Sequence, residues 1–84
     1  MKNVKILCLT NNQVLISQIE EVGADVGEPD CKLVKPFQAS PDGTLNPLLW
    51  EYTDDQEFMI SSDKIFTISE PREFLLDKYK ELIE

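Results

Sequence analysis

The apolar residues of this chain come in short runs, none longer than four, and turn-forming residues interrupt them up to Ser69. Runs this short, with alternating neighbours, fit strands rather than long helices, and their spacing fits antiparallel hairpins. With 84 residues there is room for one small domain, whose core is limited and whose stability is modest. No run is long enough for a secretory signal or a membrane span, so a cytoplasmic location is expected.

Val4–Thr10 reads as a buried strand, Asn11-Asn12 as a tight turn and Gln13–Glu21 as its partner strand. Alternation places Leu15, Ser17 and Ile19 on one face of that partner, and Val14, Ile16 and Gln18 on the other. Val22–Asp30, with two glycines, a proline and three acids, reads as a loop. Cys31–Phe37 is a third strand, with Cys31, Leu33, Lys35 and Phe37 on one face. Pro36 has no N–H for a ladder and so marks an edge, bulge or break. Gln38–Pro47, which holds Ser40-Pro41-Asp42-Gly43, reads as a surface excursion. Leu48–Tyr52 and Glu57–Ser61 flank Thr53-Asp54-Asp55-Gln56 and read as a second hairpin. Ser61–Asp63 is a short connector and Lys64–Ser69 the last strand.

Beyond Ser69 the period becomes helical. Ser69 or Glu70 caps a helix over 71–83 with Pro71 in its first turn, where a missing N–H costs nothing. Glu70 and Glu73 suit the positive end of its dipole. Leu75, Leu76, Tyr79, Leu82 and Ile83 form the stripe it lays on the sheet.

The chemistry of a typical active site is missing. The chain has no histidine, which removes the commonest general base and the Ser/His and Cys/His pairs. The three glycines fit no phosphate-binding loop. Cys8 and Cys31 lie in apolar runs and read as core thiols rather than a disulfide. Asp25–Asp30 lacks the spacing of a calcium loop. No enzyme activity, metal or cofactor is expected.

The net charge is −8. Glu20, Glu21, Asp25, Glu28 and Asp30 form one uncompensated block, and Glu51, Asp54, Asp55, Glu57 and Asp63 another. An acidic chain is repelled by a phosphate backbone, which argues against strong non-specific nucleic-acid binding. A local lysine-lined surface remains compatible with weak binding.

Two stretches resemble the motifs of the Sm/LSm family, including its Hfq-like branch. Leu9-Thr10-Asn11-Asn12-Gln13-Val14-Leu15-Ile16-Ser17-Gln18-Ile19 is similar to the first motif, with Asn12 and Ser17 where that motif prefers glycine. Phe58-Met59-Ile60-Ser61-Ser62-Asp63-Lys64-Ile65-Phe66-Thr67-Ile68 is similar to the second: strand, Arg-Gly-Asp-type connector, strand. Ser61 and Ser62 replace the arginine and glycine, and Asp63 keeps the acid. The divergence resembles that of phage-borne Sm-like proteins.

The resemblance implies a mostly β fold: a small, strongly bent five-stranded Sm-like (SH3-like) barrel over residues 4–69 with one C-terminal α-helix. It implies a homo-oligomeric ring, pentamer to heptamer, in which one copy's fourth strand pairs with the next copy's fifth. Phe58, Ile60, Ile65, Phe66 and Ile68 are the candidate interface residues. It also implies single-stranded RNA or DNA held at the pore by Asp30, Lys32, Ser61, Ser62 and Lys64. Trp50 and Tyr52 are large enough to stack bases, although Trp50 reads better as a core or subunit-contact residue. The competing expectation is an acidic protein-interaction module, such as a phage structural or host-takeover protein, that docks a basic partner and binds no nucleic acid. The C-terminal helix reads as part of the core rather than as its docking element.

Overall fold

The first hairpin forms where the alternation places it. In the computed structural model, which describes residues 4–23 and 25–83, β1 (Val4–Leu9) pairs antiparallel with β2 (Val14–Glu21). Asn12 takes a φ of 69°, the left-handed conformation that asparagine tolerates, and the Asn11 carboxamide accepts the Gln13 N–H at 3.0 Å. The loop over Val22–Asp30 follows, closed at its base by the Val22 N–H on the Asp30 carbonyl at 3.0 Å. Ala24 within it lies outside the described residues.

β3 (Cys31–Ala39) runs two residues beyond the expected end and carries Pro36 inside it. The proline is tolerated because the strand changes partner there. Cys31–Val34 pair with β5 (Glu57–Ile60), whereas Phe37–Ala39 pair with the short β4 (Leu45–Pro47). Lys35 takes a φ of 51° at the switch, and the β2–β3 register shifts between Ile16 and Gln18. A residue without an N–H fits a point where the ladder is already interrupted.

β6 (Ile65–Ser69) pairs with β1, and a 3-10 turn over Ser62–Lys64 joins it to β5. The result is one antiparallel sheet of six strands, ordered β4-β3-β2-β1-β6, with β5 also against β3. Six strands stand where the resemblance implies five: Gln38–Pro47 is not only a surface excursion, since it contains β4.

Leu48–Tyr52, expected as a strand, is instead a series of turns. Leu49 sits at a φ of 57°, and its carbonyl accepts the Tyr52 and Thr53 N–H groups at 2.9 and 3.1 Å. This segment has no β-branched residue and no alternation to hold it extended. Trp50, expected in a core or a contact, is 61% exposed in the monomer.

Both faces of the sheet carry apolar clusters. Alternation in β1 sends Leu7 and Leu9 to one face and Val4 and Ile6 to the other. Leu7, Leu15 and Leu33 centre the first cluster, against which Ile19, Leu48, Phe58, Ile60 and Ile65 pack. Val4, Ile16, Leu45 and Tyr79 centre the second. α1 (Glu73–Ile83) covers that second cluster with Leu75, Leu76, Tyr79 and Ile83. Helix bonding begins at the Arg72 carbonyl, which accepts the Leu75 and Leu76 N–H groups, so Pro71 precedes the helix instead of opening its first turn. Leu82, expected in the stripe, is 48% exposed. Cys8 and Cys31 are free thiols, the first half-buried and the second buried. Among the described residues no helix is long and apolar enough to cross a membrane.

Ser17 is fully buried, and its hydroxyl donates to the Gln18 carbonyl at 2.8 Å and the Val34 carbonyl at 3.3 Å. Tyr79 reaches the same bend from the helix. Its hydroxyl faces the Lys35 carbonyl at 2.8 Å and the Val34 carbonyl at 3.2 Å, and it accepts the Gln18 N–H at 3.3 Å. The polar groups exposed by the register shift are thus satisfied from side chains rather than from a ladder.

Candidate functional site: two strand margins and an acidic interloop hollow

β5 and β6 are the strands on either side of the connector, and each has a single ladder partner among the described residues. β5 meets only β3, and β6 meets only β1. Their far edges present unpaired N–H and C=O groups, the usual template for pairing with another strand.

The side chains there divide into two groups. Phe58, Ile60 and Ile65 are half-buried and pack on the Leu7–Leu15–Leu33 cluster, so they belong chiefly to this chain's own core. Phe66 is 77% exposed and Ile68 52%. Met59, which the sequence pattern did not single out, is 51% exposed on β5. Its alternation between Phe58 and Ile60 is the signal that marks it as outward-facing.

Ile68 is the most informative of these residues. It pairs with Leu7, and Leu7 pairs with Leu15, so all three lie in one row on one face of the sheet. Leu7 and Leu15 are fully buried, yet Ile68 stays half in water because among the described residues no strand lies beyond β6. A hollow of about 630 Å³ opens beside it, lined by Ile19, Cys31, Ile65, Phe66 and Ile68 among others. The apolar face thus runs out to the margin of the sheet without cover.

The two loops proposed for a pore do meet. Asp25, Glu28, Asp30, Ser61, Ser62 and Asp63 line a second hollow of about 330 Å³. What joins them is a carboxylate clamp. Asp30 Oδ1 accepts the Ser62 N–H at 2.7 Å, and Asp30 Oδ2 accepts the Ser62 hydroxyl at 2.8 Å. These two bonds hold the Asp30 carboxyl below its ordinary value of 3.8. Lys32 lies one strand position on from Cys31 and is ion-paired with Glu57 at 3.0 Å. Lys64 is exposed, and its carbonyl accepts the Thr10 N–H at 2.9 Å. Ser61 is half-buried at the start of the 3-10 turn, without a side-chain capping bond. Burial, then the nearby Asp30 and Glu21 charges, push the Cys31 thiol up, which keeps it protonated and unreactive. Among the described residues no cluster of histidine, cysteine, aspartate and glutamate could hold a metal ion.

The clamp makes a measurable prediction. A depressed carboxyl pKa adds stability above the unfolded value, which is lost as pH falls through the folded value. In an NMR titration the Ser62 amide shift should therefore follow Asp30 with a midpoint below 3.8. Ser62→Ala should raise that midpoint toward the ordinary value. An unmoved midpoint in the variant would mean that the clamp does not hold in solution.

The model of a protein family described as a family of unknown function (DUF6561) matches residues 2–84, and the chain belongs to that family. No curated protein matches it.

Proposed function

We propose that this chain is a self-assembling interaction module. In this reading it is a small Sm-like (SH3-like) barrel, and β5 of one copy lies beside β6 of the next to close a homo-oligomeric ring, pentamer to heptamer. The observation that carries the proposal is the half-exposed Ile68, in line with the buried Leu7 and Leu15 at an unpaired strand. The strand order β6-β1-β2-β3-β5, with a 3-10 turn between β5 and β6, supports a barrel left open between those two strands. The two margins differ in sequence, so their contact is head-to-tail. Contacts of that type give rings when the rotation closes. Amide hydrogen exchange tests it. The outward N–H groups of β5 and β6 should exchange more slowly as protein concentration rises. Exchange that stays fast at both margins at every concentration would overturn the proposal.

A second reading places single-stranded RNA or DNA on Asp30, Lys32, Ser61, Ser62 and Lys64. Its support is that the two loops line one hollow. Four carboxylates stand there, however, and Asp30, Ser62 and Lys32 already have partners within the chain. Lys64 is left as the cation, against the repulsion of Asp25, Glu28 and Asp63. We therefore expect a single-stranded oligoribonucleotide to show no gel shift at low salt. A shift that Lys64→Glu abolishes would favour the nucleic-acid reading.

A further inference from the structure

The turn between β4 and β5 holds apolar side chains in water. Leu49 is 46% exposed, Trp50 61% and Tyr52 81%. Leu49 keeps its left-handed φ in doing so, a conformation unfavourable for a residue with a branched side chain. The turn is braced by the Leu49 carbonyl and by the Leu48 N–H on the Pro36 carbonyl at 2.9 Å.

The same turn is uniformly acidic. Glu51, Asp54 and Asp55 are all exposed. From Pro36 to Asp63 there is no lysine or arginine, while six acids fall in that span. The flanking Lys35 ammonium is engaged by the Ile83 carbonyl at 3.4 Å. Beside the turn lies a cleft of about 140 Å³ whose lining includes Phe37, Leu48, Phe58 and Leu82, together with Asp55 and Gln56. A cavity of this size holds one benzene-sized apolar group. The cleft is partly polar, with Lys35 in its wall; its apolar residues, the two exposed aromatic rings and the exposed carboxylates of Glu51, Asp54 and Asp55 are complementary to a chain that carries apolar and cationic groups side by side.

We propose that this cleft and turn bind a short basic segment of another protein. One apolar side chain of the segment enters the cleft, and neighbouring lysine or arginine side chains lie against Asp54, Asp55 and the rings of Trp50 and Tyr52. Nucleic acid and acidic surfaces are repelled by the same carboxylates. The same turn of a second copy, with its own Glu51, Asp54 and Asp55, is repelled likewise. The site does not depend on the assembly proposed above and is read separately from it.

Trp50 is the only tryptophan, so its emission reports on the turn directly. The probe is a capped peptide of alternating leucine and lysine, about eight residues long, compared with its glutamate counterpart and with a lysine-only peptide. The leucine–lysine peptide should change Trp50 emission saturably, and added salt should weaken its binding. The lysine-only peptide, lacking the anchor, should bind about fivefold more weakly or worse. The double substitution Asp54→Lys and Asp55→Lys, on exposed residues, should weaken binding about tenfold with the circular dichroism unchanged. A labelled peptide should lose affinity for Trp50→Ala and for Leu82→Gln. Equal binding of the glutamate peptide, or undiminished binding to the charge-reversed variant, would overturn the proposal. So would an emission change that follows protein concentration and ignores the peptide, since that would assign the turn to self-assembly.

Discussion

Tyr79→Phe should destabilise the folded chain by about 1–3 kcal/mol, although it removes one oxygen and leaves the ring in place. The ring packs edge-on against Phe37, with centroids 5.7 Å apart, and is completely buried. The hydroxyl is what the bend depends on. It serves the Lys35 and Val34 carbonyls and the Gln18 N–H, at the point where the β2–β3 ladder breaks register. Phenylalanine would leave the Lys35 carbonyl and the Gln18 N–H without this partner in a site closed to water, while the Val34 carbonyl would keep Ser17. The desolvation cost of orphaned groups then falls on the fold. In a domain of this size about 1 kcal/mol moves the melting midpoint by about 4–8 °C. Tyr79→Ala adds a cavity and should cost about 3–5 kcal/mol, a large part of the stability of so small a domain. Denaturant unfolding of both variants measures these values. A Tyr79→Phe midpoint equal to wild type would show that the hydroxyl is dispensable. Burial also raises the phenol above its ordinary value of 10.0. The stability linked to this group is therefore full below that value and is lost as pH rises through the folded value. Tyr79→Phe should flatten that alkaline limb.

The second large effect is on assembly and leaves the fold alone. Phe66→Lys and Met59→Lys each place a charge on an exposed position of a strand margin, where the monomer loses no core packing. Circular dichroism and melting of the isolated chain should barely change. The contact between copies should fail, because a lysine carried into a strand-to-strand interface is desolvated without a partner. The proposed ring should therefore be weakened in both variants, with a loss of at least about tenfold in association constant per contact relative to wild type. Leu33→Ala serves as the contrast: it should lower the melting midpoint of the chain itself, since Leu33 is 1% exposed in the inner cluster on which Phe58, Ile60 and Ile65 pack. Sedimentation velocity on the lysine variants distinguishes lost assembly from lost folding.

Much of the fold was legible because local and tertiary demands agreed. Alternation placed β1, β2, β5 and β6 to within a residue or so, and the change of period after Ser69 marked the helix. The failures share a cause. Pro36 reads locally as a stop, yet β3 continues because its ladder passes from β5 to β4 at that residue, a feature set by strands distant in sequence. Leu48–Tyr52 reads as a strand by hydrophobicity alone, but beyond the Leu48 N–H, which reaches the Pro36 carbonyl of β3, its backbone bonds turn back onto the Leu49 carbonyl and it closes into turns. At the candidate site the resemblance named Asp30 and Ser62 together, and the two are in direct contact. It left out what they do to each other, because a carboxylate and a serine 32 residues apart have no sequence signature as a pair. For the margins, alternation alone would put Phe66 and Ile68 on one face; the register shift at Cys8 and Leu9 leaves Phe66 out of the β1 ladder, and it is 77% exposed. The exposure of Ile68 was not legible either, because it follows from β6 being the last strand on that side among the described residues.

The proposed assembly requires that β5 and β6 be edges that meet in a second copy. Multi-angle light scattering on the wild-type chain at micromolar concentration measures this directly. The predicted mass is a whole-number multiple, in the pentamer-to-heptamer range, of the 9.6 kDa chain. A mass of 9.6 kDa that holds across the concentration series would contradict it.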